Sequence, residues 1–524
     1  MAPTIGLVPT CAPPHSSVAS LFENIANLLS RTFSVCRLPS YLDSLSPAGQ
    51  AEAWRAFLST SDIVITHDWR PYEWRLRLGL EVPICSLMLG LLPRGRAAFE
   101  RYGALIRSYD RLTVSCTADG QICRRLLASA KAPITLLPFA VDTDHFKPLG
   151  RDERRRLRSL FDITDDEVVF LYVGRITAEK NVHTLLSLFA LLLSRGPAAR
   201  LFLVGRVKDA RFHELGTGPY DLNQVLSQIL AAHPHLGARV QMIPFTSKSD
   251  LPALFNLADV FVNMTLHHDE NFGFAQAEAM SCSLPVISTR WGGLKDVVDH
   301  ERTGLLVDTF VTGRGIRLDS WQALHHLERL ARARAEREQL GRCGRARALA
   351  RFSLPRFEEN LLTEIRACLA AQQQPPARRR HRLSPFGRAL AQAIGPVEER
   401  IARGHPIYDR RTYPLYAQLI APYSSGPVPS AIPSQAMLFI TQLAEALELR
   451  ARCVRVHDPL WPALISIGRH EHWILGRLLR ARSFLRRDEL EQQWRRRRIS
   501  RRSLATALRR LVEKGLVGFS AYEA

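Results

Sequence analysis

The sequence predicts an α/β protein with two parallel-sheet blocks and an added, mainly helical C-terminal domain. Three observations predict it. Short β-branched runs alternate with longer helical stretches through the first two thirds of the chain, the pattern of strand-helix-strand units. The composition, 46% hydrophobic and 23% charged, is that of a globular protein, and 524 residues exceed what one core organises, so two to four domains are expected. The alternation then stops at a proline- and arginine-rich stretch, beyond which mainly helical periodicity is legible.

Taken in order, the first block offers strands at Thr4 to Val8, Asp62 to Ile65, Pro83 to Ser86, Leu112 to Ser115 and Ile134 to Leu137, with a helix at Ser17 to Leu29. The second begins at Val168 to Val173 and continues through Arg200 to Val204, Val240 to Ile243, Val260 to Val262 and Pro285 to Ser288. It runs to a helix near Phe357 to Leu369, which is expected to cross back to the first block. Domains are therefore expected at 1–148 and 149–371, with a basic linker at 372–384 and an extension at 385–524. Ligands of open parallel sheets bind beyond the carboxyl ends of the strands. Two such sheets facing one another would enclose a cleft, and the chemistry is sought there.

Composition narrows the classes. Met1-Ala2-Pro3 lacks the basic start of a signal peptide, and the longest apolar runs, 82–92 and 185–193, fall short of the roughly 18 residues of a membrane span. A cytoplasmic protein is expected. Nine cysteines without C-x-x-C spacing suggest neither a disulfide framework nor a zinc site. The net charge of +21 is carried mostly by arginine.

Two stretches carry candidate chemistry. G-R-I-T-A-E-K-N follows the strand ending at Val173; Arg175 and Lys180 there suit a diphosphate, the guanidinium as a fork and the ammonium as a point charge, although surface cations near helix starts are also common. In E-N-F-G-F-A-Q-A-E-A-M, Glu270 and Glu278 stand eight apart. Gly273, Phe274 and Ala275 would open a helix whose free amides can meet an anion. Glu270 can equally complement the helix dipole. Glu278, about a turn into a helix of small apolar residues, needs polar partners, and a ribose diol can supply them.

These motifs resemble the retaining GT-B-fold glycosyltransferases of family 4 over residues 1 to about 370. The resemblance rests on F-L-Y-V-G-R-I-T-A-E-K-N, L-P-F-A-V-D-T-D-H-F-K-P at 137–148, the E-x7-E stretch, S-L-P-V-I-S-T-R-W-G-G-L-K-D-V-V and T-G-L-L-V. It implies two facing Rossmann-like domains and transfer of a sugar from a UDP- or GDP-sugar. Glu270 would lie beside that sugar, Glu278 on the ribose, and the backbone at Gly273, Phe274 and Ala275 against the diphosphate. Arg175 and Lys180 would neutralise the leaving phosphate, with no metal or cofactor required. His67, in T-H-D-W after a strand, would meet donor sugar or acceptor, and Gly205 and Phe245 would lie near the base. The sequence departs from the family in its first loop, P-T-C-A-P-P-H-S-S with His15, and at Ser283, a position usually glycine.

Beyond residue 371 stand 27 basic and 12 acidic side chains, about +15 of the net charge. Helices are expected at Glu471 to Arg480, Arg487 to Trp494 and Ser500 to Lys514, the last with an apolar stripe of Leu504, Leu508, Leu511 and Val512 and with Arg501, Arg502, Arg509 and Arg510. With Leu516 to Phe519 as a wing strand, residues 465–524 resemble a winged helix, a module that docks proteins or peptides and, less favoured here, nucleic acid. Two functions follow. One is an active transferase whose tail recruits an unidentified acceptor (a saccharide, lipid-linked glycan, natural product or peptide) or a partner. The other is a non-catalytic sensor of nucleotide sugars that binds nucleic acid through its tail. Contact of the basic surface with anionic membrane fits the charge as well.

Overall fold

A computed structural model describes residues 3–8, 17–89, 103–129, 132–207, 222–244, 247, 249–267, 269–312, 315–373, 382–394, 412–426, 432–433, 435–440, 447–456, 463–481, 484–497 and 499–520. His15, Phe245 and most of the linker lie outside them. The chain forms two compact units, one of 1–143, 271–277 and 348–399, the other of 144–270, 278–347 and 400–524.

The first unit is built on a parallel sheet of β1 (Thr4–Leu7), β2 (Ser34–Arg37), β3 (Ile63–Thr66), β4 (Ile84–Met88), β5 (Arg111–Val114) and β6 (Ile134–Leu136), in the order β2-β1-β3-β4-β5-β6. The strands β3 and β4 are buried along their whole length, as a sheet covered on both faces demands. Helix Leu354–Gln372 packs on β3, β4 and helix Ser17–Leu29 through Phe357, Leu361, Ile365 and Cys368.

The second unit holds β7 (Val168–Val173), β8 (Ala199–Val204), β9 (Val240–Ile243), β10 (Val260–Asn263), β11 (Val286–Thr289) and β12 (Gly304–Val307), all parallel, in the order β9-β8-β7-β10-β11-β12. The strand order reverses between β7 and β10, so loops leaving those two strands meet at the switch point where ligands of such sheets bind. Both sheets have the Rossmann-like pattern expected from the sequence. A hairpin, β13 (Thr309–Thr312) with β14 (Gly315–Leu318), follows β12.

The extension divides: helix Pro385–Ile394 packs in the first unit, on helix Thr117–Leu126, and the residues from 400 onward pack within the second. In the second unit its helices Tyr413–Ile420, Arg469–Arg480, Arg487–Arg495 and Arg501–Glu513 alternate with two antiparallel three-stranded sheets, of which the sequence analysis expected only the strand near Leu516 to Phe519. One joins β15 (Met437–Ile440), β19 (Phe484–Arg486) and β20 (Val517–Ser520) in the order β19-β15-β20; the other joins β16 (Leu447–Leu449), β17 (Cys453–Val456) and β18 (Ala463–Ser466). Leu504, Leu508, Leu511 and Trp494 are buried in their shared core, and the Ser500 hydroxyl caps its helix by accepting from the Ser503 amide at 3.2 Å. The extension touches helix Ser320–Arg332, where the rings of Trp321 and Phe484 lie 5.2 Å apart.

That helix carries two opposed titrations. Burial pushes the His326 imidazole down to about 3 and the Asp319 carboxyl up to about 7. The stability tied to neutral His326 is present above its unfolded value of about 6.5 and is lost as pH falls toward 3. The stability tied to protonated Asp319 is present below about 4 and is lost as pH rises to 7. In urea melts between pH 4.5 and 7, Asp319→Asn is therefore expected to make stability rise more steeply with pH than in the parent protein. His326→Gln is expected to make it fall with pH; parallel profiles for the three proteins would contradict this.

Candidate active site at the switch point of the second sheet

Arg175 and Lys180 follow β7, and Glu270 follows β10, the two strands that flank the reversal. Backbone bonds lace the two loops together: the Leu266 amide donates to the Glu179 carbonyl at 3.0 Å, and the Thr265 hydroxyl reaches the same oxygen at 3.4 Å. The lacing brings together side chains 90 residues apart. Lys180 Nζ donates to Glu270 Oε2 in a mostly buried ion pair, and the Thr265 hydroxyl donates to the same carboxylate oxygen at 3.1 Å.

Around this pair the polar groups are close and partly unsatisfied. The Arg175 guanidinium is half exposed and lies 3.7 Å from the Glu179 carboxylate, which is buried. Among the described residues, Glu179 Oε2 and Thr177 Oγ1 are buried without a hydrogen-bond partner. Buried polar atoms without partners are uncommon in native interiors, so these two have bonding capacity left for a further polar group. The Tyr172 hydroxyl donates to the Arg175 carbonyl at 2.7 Å, and burial followed by the nearby Glu270 and Glu179 carboxylates pushes this phenol well above its ordinary value. Sequence reasoning passed over Tyr172 and Thr265; a tyrosine inside a strand and a threonine after one are ordinary until the topology brings them beside a carboxylate.

The other expected residues are placed as follows. Helix Phe274–Ser281 opens at Phe274 with Gly273 just before it and carries Ala275 and the half-buried Glu278. The Phe274 ring stacks on Phe139 at 5.8 Å, so its side chain is used in packing. Ser283, where the resemblance led us to expect glycine, has a left-handed backbone (φ 62°), the conformation that favours glycine. Gly205 follows β8 with φ 147°, and a Cβ there would fall 1.9 Å from the Gly174 carbonyl oxygen, so no other residue fits. His67 belongs to the first unit, at the end of β3, with its ring 5.0 Å from Phe22. Burial lowers its pKa below the usual histidine value, against the raising effect of Asp68, and Nδ1 has no partner among the described residues.

Residues 153–312, which contain all of these second-unit groups, match the family model of glycosyl transferases group 1. The chain is 31% identical over 325 residues to D-inositol 3-phosphate glycosyltransferase of Saccharomonospora viridis, an alignment covering 59% of this chain and 71% of that one. The chain belongs to the group 1 glycosyl transferases. The Segniliparus rotundus protein of the same name is 26% identical over 343 residues, 62% of this chain and 70% of its own. Among solved structures, sucrose-phosphate synthase from Thermosynechococcus elongatus superimposes with a TM-score of 0.52 at 21% identity, covering 70% of this glycosyl transferase and all of that chain. Anabaena HepE in complex with UDP gives 0.54 at 17% identity, with the same coverage. At these identities the structures show the shared fold, two Rossmann-like domains of the GT-B kind. Among the described residues of this group 1 glycosyl transferase, no helix is long and apolar enough to cross a membrane.

Proposed function

We propose that this is a retaining, family 4 glycosyltransferase that moves a sugar from a nucleotide diphosphate sugar, UDP-sugar first among candidates, to an acceptor hydroxyl in the cytoplasm. The observation that carries it is the Lys180–Glu270 pair at the switch point, within a chain of the group 1 family. The anomeric carbon's bond to the β-phosphate oxygen breaks and its electron pair leaves on that oxygen. The acceptor oxygen bonds to the same face of the carbon, and its proton passes to the departing phosphate. Positive charge thus builds at the carbon and negative charge at the phosphate, and groups fixed in advance at each stabilise the transition state most.

In this reading Glu270 faces the sugar, Arg175 and Lys180 take the phosphate charge without a metal, and Glu278 holds the ribose. The amides at Gly273, Phe274 and Ala275 meet the diphosphate, Gly205 lies near the base, and His67 serves sugar or acceptor. UDP is favoured because HepE, of the same fold, was solved with UDP and with UDP-glucose. Residues 465–520 act as a winged helix joined to the enzyme through the linker at 372–384, and they recruit an acceptor or partner. Support comes from the order helix, β19, helix, helix, β20, with β15 filling the central strand of the three.

Calorimetry with UDP, GDP and ADP tests the donor site. Selective binding of one nucleotide is expected, weakened about tenfold or more in Glu278→Ala, because a ribose diol loses a charged hydrogen-bond partner. Equal affinity of the parent protein and Glu278→Ala would remove Glu278 from the ribose, and no binding of any nucleotide would favour the tail-centred regulator.

A further inference from the structure

The extension reaches the turn that holds Glu270. In Trp291-Gly292-Gly293, after β11, two consecutive amides point to different parts of the chain: Gly293 N donates to the Glu270 carbonyl at 2.7 Å, and Gly292 N donates to the Tyr423 carbonyl at 2.9 Å. The packing leaves no room between them. A Cβ on Gly292 would fall 2.2 Å from the Glu270 carbonyl oxygen and 2.6 Å from Cδ1 and Cε1 of Tyr423. The Tyr423 and Trp291 rings are fully buried with centroids 5.4 Å apart, and Trp291 Nε1 donates to the His267 carbonyl at 2.7 Å, three residues before Glu270.

The segment around Tyr423 is itself anchored at both ends. Lys295 Nζ donates to the carbonyls of Pro422 and Ser424. Ser425 exchanges bonds with Thr309, its amide to the Thr309 carbonyl at 3.1 Å and the Thr309 amide to its hydroxyl at 2.8 Å, and Gly426 bridges to Phe310. At the other end the Tyr413 hydroxyl donates to the Thr312 carbonyl at 2.9 Å and accepts from the Gly315 amide at 2.8 Å. Helix Tyr413–Ile420 between these anchors buries Tyr416, Leu419 and Ile420 completely.

We propose that residues 412–426 are a strut that fixes the Glu270 loop, with Tyr423 as its positioning residue, so that sugar transfer depends on the extension as well as on the two sheets. This rests on the assignment of Glu270 to the sugar. The physical argument is that Glu270 is held from two sides: its carboxylate by Lys180 and Thr265, its backbone by a turn whose neighbouring amide is tied to Tyr423. A shift of about 1 Å in a positioned group costs about a hundredfold in rate. Nucleotide binding is assigned to Glu278, Arg175, Lys180 and the start of helix Phe274–Ser281, of which only Lys180 bonds to the Glu270 side chain among the described residues, so the strut is expected to act on it far less than on transfer.

The test uses the full chain with Tyr423→Ala, Tyr423→Phe and, as a gentler release of the same segment, Lys295→Ala. Hydrogen exchange at the amides of 290–293 and release of UDP from UDP-glucose are measured with UDP affinity as the control. Tyr423→Ala is expected to speed exchange at Gly292 and Gly293 at least tenfold and to slow UDP release by ten- to a hundredfold, with UDP affinity within about threefold. Lys295→Ala moves both in the same direction by less, and Tyr423→Phe, which keeps ring and carbonyl, restores both. Unchanged exchange in folded Tyr423→Ala and Lys295→Ala would overturn the strut, and that measurement needs no turnover of UDP-glucose. Loss of UDP affinity by the same factor as UDP release would overturn it too. Glu270→Gln separates the two ideas: if it leaves UDP release intact, the assignment of Glu270 fails, whereas if it stops release and Tyr423→Ala does not, the strut alone fails.

Discussion

Glu270→Gln is expected to lower glycosyl transfer by about a thousandfold while UDP affinity changes by less than about threefold. The amide is nearly the same shape as the carboxylate and can still accept from the Thr265 hydroxyl, which donates to Glu270 at 3.1 Å. On the proposed assignment, what it lacks is the negative charge beside a carbon that becomes positive only in the transition state, so the loss falls on the chemical step. Neutralising Glu270 also releases Lys180 from its ion pair, leaving the ammonium available to phosphate, and nucleotide binding should not suffer. Rates come from UDP release and affinities from calorimetry. A parallel fall in both would show that Glu270 supports nucleotide binding or folding instead.

The second large effect is on stability. Asp110→Ala is expected to destabilise the first unit by about 3–5 kcal/mol, because it strands a buried guanidinium. Arg75 is 1% exposed and Asp110 is fully buried; they pair through two parallel bonds, Nη1 to Oδ1 at 2.7 Å and Nη2 to Oδ2 at 2.9 Å. Arg75 also donates to the carbonyls of Val82 and Leu105, while Asp110 accepts from the amides of Ile84 and Arg107 at 2.9 and 2.6 Å. Removing the carboxylate therefore leaves one charge and two amides without partners in the interior. Urea melts of the full chain measure the effect, and a loss below about 1 kcal/mol would show that water or a rearranged side chain replaces the carboxylate. Neither residue stands out in the sequence, where Arg75 is one arginine among many.

The interior strands of both sheets were legible because they are continuous apolar runs between turn signals. Edge strands were legible only in part: Ile134–Leu136 and Val240–Ile243 were expected, but Ser34–Arg37 reads S-V-C-R, half exposed, with no run to see, and Leu447–Leu449 is three residues long. Glu270 and Glu278 stood out by their spacing and Arg175 and Lys180 by their position after a strand. That Lys180 bonds Glu270 was not legible, since their contact depends on β7 and β10 being neighbours in the sheet.

The sequence by itself determined the α/β class and the order of the motifs, because periodicity and local spacing are properties of neighbouring residues; the glycosyltransferase reading came from the resemblance of those motifs to a known family. The sequence also marked where the helices of residues 469–513 lie, since their apolar stripes and caps are local. Only the tertiary structure decided which loops meet, that Thr265 and Tyr172 join the charged pair, and that Tyr423 lies against Gly292. Most of those pairings, Lys180 with Glu270 and Gly292 with Tyr423 among them, join residues about ninety or more apart, and the free energy that selects them is spread over buried area and backbone bonds contributed by the whole fold.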